Sequence, residues 1–243
     1  MYGVFSWLLI LCCAEGVLRA QSDKIVDSLE KVVARAEDDT VKARSLCRLC
    51  RELTNQARFD EALKHGTTGL NLSQKLNDDQ GAAFCHRTLG LVYANQGDYA
   101  GAERHYLKSK EIYERIGDLM GVARTCNNLG NVYLGQGDYA RAIENFLKTL
   151  KIFEQFGDPA GAAHAYNNLG ITYSHQGDYA RSEKHFLKSL QIYERLGFGG
   201  QAGAANCYTN LGNLYRDQGD YVRAAQFFLK SSEIHERLGN PTG

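Results

Sequence analysis

The chain has 243 residues, with 28 basic and 28 acidic side chains and no basic block. Balanced charge argues against the dense cationic footprint of nucleic-acid binding. Two prolines among plentiful apolar residues argue against disorder. The length is large for one compact core and suits an array of repeats. In chain order, Val4 to Leu18 is apolar except for Ser6, Glu15 and Gly16, and it ends at Leu18-Arg19-Ala20-Gln21. This reads as a secretory signal over 1–20, or as a buried first helix. It departs from the signal pattern in having no Lys or Arg before the apolar stretch, which an upstream start codon would supply. No later stretch reaches the ~20 apolar residues that span a bilayer, so the chain is expected in an extracytoplasmic space if the signal works and in the cytoplasm otherwise. Residues 21–41 then supply a capping helix and turn, with Ile25, Leu29, Val32, Val33 and Ala36 expected on one face.

From there one phrase recurs. "RTLGLVYANQGDYAGA" begins at 87, "NNLGNVYLGQGDYARA" at 127, "NNLGITYSHQGDYARS" at 167 and "TNLGNLYRDQGDYVRA" at 209. The register divides 42–243 into five units: 42–81, 82–121, 122–161, 162–203 and 204–243. Gly137 suits a left-handed stop for a first helix, and Asp138 suits the cap of a second. That second helix is expected to end near Gln155, with Gly157 as its stop and Asp158 and Pro159 opening the next helix. Leu129 and Tyr133 lie one turn apart on the first helix. Ala142, Phe146, Thr149 and Ile152 share a face of the second. Gly130 lets the two helices approach. One hairpin cannot bury such a face alone, so the next copy must cover it.

Leu-Gly-x-x-Tyr followed by Ala, an aromatic and a small residue resembles the tetratricopeptide repeat family. The pattern stands at Leu89, Gly90, Tyr93, Ala102, Tyr106 and Ser109, and again at Leu129, Gly130, Tyr133, Ala142, Phe146 and Thr149. It returns at Leu169, Gly170, Tyr173, Ser182, Phe186 and Ser189, and at Leu211, Gly212, Tyr215, Ala224, Phe228 and Ser231. The unit over 42–81 is degenerate, with Cys50 and Leu53 in place of glycine and tyrosine. The resemblance implies an all-α, right-handed α-solenoid of antiparallel helix hairpins, with first helices lining a concave groove that holds peptide or protein segments. Groove positions are then Arg87, Leu91, Arg124, Asn127, Asn131, His164, Asn167, Ile171, Asn206, Asn213 and Arg216, with Phe84, Asn128, Asn168 and Asn210 beside them. Asparagine amides donate and accept, so a row of them suits an extended backbone. For Asn128, Asn168 and Asn210, stitching of adjacent repeats is the alternative. Some relatives hold a terminal carboxylate with groove lysines and arginines. Asn127, Asn168, Asn206 and Asn210 fall at those positions, so a neutral, polar groove is expected.

Little else carries chemistry. Cys47-Arg48-Leu49-Cys50 could be a redox pair or half a zinc site, but no second pair exists and both cysteines fall inside a helix. Packing is the expectation, with Cys50 at the small-residue position and Cys47 toward the groove. The mature chain keeps five cysteines, an odd number, so no complete disulfide framework follows. The seven histidines show no ligand spacing, and no phosphate loop or nucleophile motif appears. No enzyme activity, metal, cofactor, nucleic acid or small-molecule substrate is expected. Phe198-Gly199-Gly200 inserts two residues, as a loop bulge or a flexible joint. Leu238-Gly239-Asn240-Pro241-Thr242-Gly243 reads like the start of another unit and would leave Ala224, Phe228 and Ser231 partly uncovered. That implies either a fragment or a covered end, for instance by self-association. The leading expectation is an interaction scaffold. The alternative is the extracytoplasmic input module of a truncated signalling protein, a sensor kinase or transcriptional regulator.

Overall fold

The computed structural model describes residues 22–239, so the expected signal segment lies outside the described residues. All regular structure among them is helical. The chain divides into two compact units, 1–118 and 119–243. The first holds α1 (22–35), α2 (Thr40–Asn55), α3 (Phe59–Lys75), α4 (Asp79–Asn95) and α5 (Tyr99–Arg115). The second holds α6 (Leu119–Gly135), α7 (Tyr139–Gln155), α8 (Pro159–His175), α9 (Tyr179–Arg195), a 3-10 turn (Gly197–Gly200), α10 (Gln201–Asp217) and α11 (Tyr221–Gly239). From α2 onward the helices pair as consecutive hairpins, the architecture of an all-α solenoid, and within each unit every hairpin packs on the next.

The repeated phrase builds each hairpin turn. Gly137 and Gly177 sit at φ +75° and +80°, where a side chain is strained, and they end α6 and α8. Asp138 then accepts from the Arg141 amide at 3.0 Å and caps α7. The Arg141 guanidinium returns to the same carboxylate and lies 4.2 Å above the Tyr133 ring. Asp178, Arg181 and Tyr173 repeat this cluster, as do Asp220, Arg223 and Tyr215. In α5 the arginine position is Gly101, and only the cap to Asp98 remains.

Between the helices of a pair, small meets large. A Cβ built on Gly130 would come 2.5 Å from Phe146, and one on Gly170 equally close to Phe186. Phe146 is wholly buried in consequence, and Tyr133 is buried beside it. The small residue one turn further on has a second duty. Thr149 donates its hydroxyl to the Ala123 carbonyl, and Ser109, Ser189 and Ser231 donate to Ala83, Ala163 and Ala205. Each removes an otherwise unpaired hydroxyl from the core.

The degenerate first hairpin solves the same packing in reverse. Cys50 fills the first-helix position, and Gly66 replaces the aromatic of the second. A Cβ on Gly66 would meet Cys50 Sγ at 2.8 Å. Helix α1 covers this hairpin through Val26, buried among Leu49, Cys50, Leu53 and Ala62, with Leu29 beside it. This corrects the expected face: Ile25 and Val32 are exposed. At the other end Ala224 and Ser231 are buried by α10, contrary to expectation, and Phe228 is half-buried. Exposure falls instead on Tyr221, Val222 and Leu229, the outer face of α11.

Candidate functional site

In the second unit, α6, α8 and α10 present one stripe of side chains that packing leaves over. Arg124 and Asn131 on α6, His164 on α8, and Asn206 and Arg216 on α10 are exposed; Ile171 and Asn213 are half-buried. Arg216 pairs with its neighbour Asp217. No hydrogen bond or ion pair engages Arg124, Asn131, Asn206 or Asn213 among the described residues, so their polar groups are available to a ligand.

Asn127 and Asn167 do something else. The Asn127 side-chain carbonyl accepts from the Asn168 amide at 2.9 Å, and that of Asn167 accepts from Asn210 at 2.8 Å. Asn168 also meets His164 Nδ1 at 3.3 Å, and Cys207 Sγ contacts Asn167 at 3.7 Å. These residues form a ladder that ties each first helix to the next. Asn168 and Asn210 follow the stitching alternative, and Asn127 and Asn167 supply their acceptors. The side-chain carbonyl oxygens of Asn127 and Asn167, which are expected in the groove, are thus occupied. Desolvation holds the His164 pKa below its ordinary value, so its ring is neutral at pH 7.

In the first unit, Phe84, Arg87 and Leu91 are half-buried on α4. The Arg87 guanidinium lies 5.3 Å from the Phe84 ring centre, and its Nε is buried without a hydrogen-bond partner. The register also places Arg44, Arg48 and Arg51 of α2 at the positions of Phe84, Thr88 and Leu91, and all three arginines are exposed. These arginines precede α4, where the groove positions expected from the sequence begin.

Beneath that stripe Cys47 is bonded to Cys85, with Cα atoms 5.2 Å apart. This overturns the expectation of a packing cysteine turned toward the groove. Cys47 is fully buried on α2, and its partner lies 38 residues away on α4, in the next hairpin of the same unit, rather than within the C-x-x-C. Cys50 remains a buried thiol with its pKa pushed up to about 11 by burial. Two histidines also meet here, although their spacing suggested no pairing. His86 Nδ1 and His105 Nδ1 stand 3.1 Å apart, and Tyr93 stacks on His105. Burial lowers the His86 pKa to about 4, aided by His105 and Lys108. A neutral pair sharing one proton satisfies both nitrogens. Among the described residues no group of three or more His, Cys, Asp or Glu side chains is placed to hold a metal ion.

Consecutive hairpins with an outward stripe on the first helices define a helical-repeat protein. The sequence model of the tetratricopeptide repeat matches residues 42–115, 82–155 and 161–237, and the chain belongs to the tetratricopeptide repeat family. Proteins of this family are generally non-enzymatic and typically serve as interaction scaffolds. No curated protein sequence matches the chain. Among solved structures, BtubC (BKLC) from P. vanneervenii superposes with a TM-score of 0.74 at 21% identity over 90% of each chain. PilF of Pseudomonas aeruginosa gives 0.62 at 19% identity, over 80% of this chain and 78% of that one. A Rap protein complexed with Competence and Sporulation Factor gives 0.68 at 17% identity, over 86% of this chain and 59% of that one. At these identities the likeness establishes the fold.

Proposed function

We propose that this chain is an interaction scaffold that holds an extended protein or peptide segment against the exposed stripe of its first helices. The observation that carries the reading is the contrast on α6, α8 and α10. One side of each helix is consumed by core and ladder, while Arg124, Asn131, Asn206 and Asn213 keep polar groups with no partner among the described residues. The free amides of Asn131 on α6 and of Asn206 and Asn213 on α10 suit the donors and acceptors of an extended backbone. The Rap protein offers a precedent on the same fold, being complexed with Competence and Sporulation Factor.

The extracytoplasmic location stays part of the proposal. It rests on the apolar start of the sequence and is supported by the Cys47–Cys85 bond, since structural disulfides persist in oxidising compartments. Self-association through the outer face of α11 also belongs to it, because Val222 and Leu229 are 72% and 63% exposed there.

A peptide array probed with residues 21–243 tests the reading. Arrayed peptides bound by the wild type should be lost when Asn131, Asn206 and Asn213 are changed together to alanine, with the helical content unchanged. Equal binding by wild type and variant would reject the assignment of this stripe.

A further inference from the structure

We propose that the second unit binds a free aromatic amino acid in a cleft lined by α9, the 3-10 turn, α10 and α11. The cleft measures about 450 Å³, within the range of small-molecule sites. Tyr193, Phe198, Ala204 and Ile234 give it apolar walls, and Lys230 and Arg237 bring cations to it. It lies apart from the amide stripe. At about 100° per residue, Ala204 and Tyr208 fall on one side of α10, and Asn206 and Asn213 fall on the other. Phe198 is the first sign of a ligand. It sits on the two-residue insertion that the other turns lack, and its ring is 81% exposed, more than any other large apolar side chain among the described residues. A ring beside a cleft has apolar area to bury when the cleft fills.

The charges are the second sign. The first unit has the same cleft, where Lys108, Glu111, Ile112 and Arg115 take the places of Lys230, Glu233, Ile234 and Arg237. There Asp79 closes an ion pair with Arg115 at 2.8 Å. In the second unit α10 begins with Gln201 where α4 begins with Asp79, and Arg237 has no ion pair among the described residues. Its Nε donates only to the Glu233 backbone carbonyl, at 3.2 Å. Lys230 also lacks an ion pair, and its Nζ stands 5.4 Å from the Tyr208 ring centre. The Glu194 carboxylate accepts from the Tyr208 hydroxyl at 2.7 Å, whereas that of Glu233 has no partner among the described residues. Compared with the first cleft, the second gains a ring and loses an internal ion pair. A zwitterion with an aromatic side chain answers both changes. Its carboxylate meets Arg237 and Lys230, its ammonium meets Glu233, and its ring packs among Phe198, Tyr193 and Ile234. Two cations beside two carboxylates suit a neutral ligand better than a phosphate.

The test is isothermal titration calorimetry on residues 21–243 with L-phenylalanine, L-leucine, 3-phenylpropionate, phenethylamine and a short peptide ending in phenylalanine. L-phenylalanine should bind best. Phe198→Ala should weaken it about tenfold through the lost ring contact. Arg237→Gln should weaken L-phenylalanine and 3-phenylpropionate about fivefold, as expected for an exposed charge contact, and leave phenethylamine unchanged. Both side chains are exposed, so the melting temperature of either variant should match the wild type. The Asn131, Asn206 and Asn213 alanine variant should bind L-phenylalanine as the wild type does, whatever becomes of its peptide binding. Absence of binding by L-phenylalanine, equal binding by L-leucine, or indifference to both Phe198→Ala and Arg237→Gln would overturn the inference and leave the scaffold reading untouched. Tighter binding of the peptide than of L-phenylalanine would overturn it as well, by showing a ligand without a free ammonium group beside its ring.

Discussion

The two units make the same join with different chemistry. In the first, α2 is tied to α4 by the Cys47–Cys85 bond. In the second, α6 is tied to α8 and α8 to α10 by asparagine amides. The register shows that the two joins share one of their ends, while the amide donors Asn168 and Asn210 fall at the position of Thr88. Cys47 corresponds to Asn127 and Asn167, and Cys85 corresponds to Cys207. The Cys207 thiol even contacts Asn167, so the pair that is covalent in the first unit returns as a weak polar contact in the second. A repeat therefore prescribes that neighbouring first helices be linked at this point and leaves the kind of link to local sequence. The same division marks the outward stripe, which is arginine-rich in the first unit and rich in amides in the second.

Four measurements would break or sharpen this comparison. Because repeat arrays open locally, native-state hydrogen exchange resolved by helix is the suitable readout. The largest effect is expected in the core of the second unit. Phe146→Ala should cost about 3–5 kcal/mol, with loss of protection centred on α6 and α7, because Gly130 leaves no side chain to refill the space. The first unit, with Gly66 at the equivalent position, should keep its protection in α2 and α3.

Next comes the link itself. Cys47→Ser should lower the stability of α2 and α3 by about 2–4 kcal/mol, as loss of a loop-closing disulfide does. Urea melts with and without reductant should coincide for the variant and differ for the wild type. Coincident wild-type curves, with five titratable thiols instead of three in residues 21–243, would show that the bond does not form.

Acid should then weaken both units, through the desolvated histidines His86 and His105 in the first and His164 and His185 in the second. His86 is neutral when folded, with a pKa lowered to about 4 by burial. The unfolded chain binds its proton near the ordinary histidine value of ~6.5. Between those values the unfolded state holds more protons, so stability falls as pH falls across that window and is fully retained above it. The loss at the first unit should be on the order of 2 kcal/mol. His86→Tyr, which installs the residue found at Tyr166 and Tyr208, should flatten that part of the pH profile of α4 and α5. In the second unit Asp138, Asp178 and Asp220 have pKa values lowered by backbone amides and by the arginines at their caps. Their contribution is lost only at lower pH, as the medium passes through those depressed values.

The smallest effect concerns the amide ladder. Asn167→Ala leaves the Asn210 amide without its acceptor, while the Cys207 thiol keeps the Ser189 hydroxyl at 3.1 Å, and should cost about 1 kcal/mol. Exchange should rise along the facing sides of α8 and α10. An unchanged pattern would mean that the ladder orients these helices without stabilising them.

The hairpins were legible because their instructions are local. A glycine that accepts positive φ, an aspartate that accepts the next free amides and a small residue opposite a ring act within one unit, and Gly137, Asp138, Gly130 and Phe146 behave as read. The degenerate first unit was legible as a hairpin, but its compensation between Cys50 and Gly66 was not, since each residue departs from the pattern and only their contact restores it. Thr149 and its equivalents are legible as small residues, but their hydroxyl bonds are not, because the accepting carbonyl lies 26 positions back on the other helix.

What the sequence alone determined is the family, the hairpin count and, from α4 onward, the face each helix turns inward, because a period and its turn residues are properties of order along the chain. Which outward residues stay free was decided in three dimensions. Asn127 and Asn131 look equivalent as text, yet the first meets Asn168 across 41 positions and the second meets nothing among the described residues. Cys47 chose Cys85 over the nearer Cys50 for the same reason. Residues one turn apart on a helix point along its side, whereas a partner on the neighbouring helix stands directly opposite.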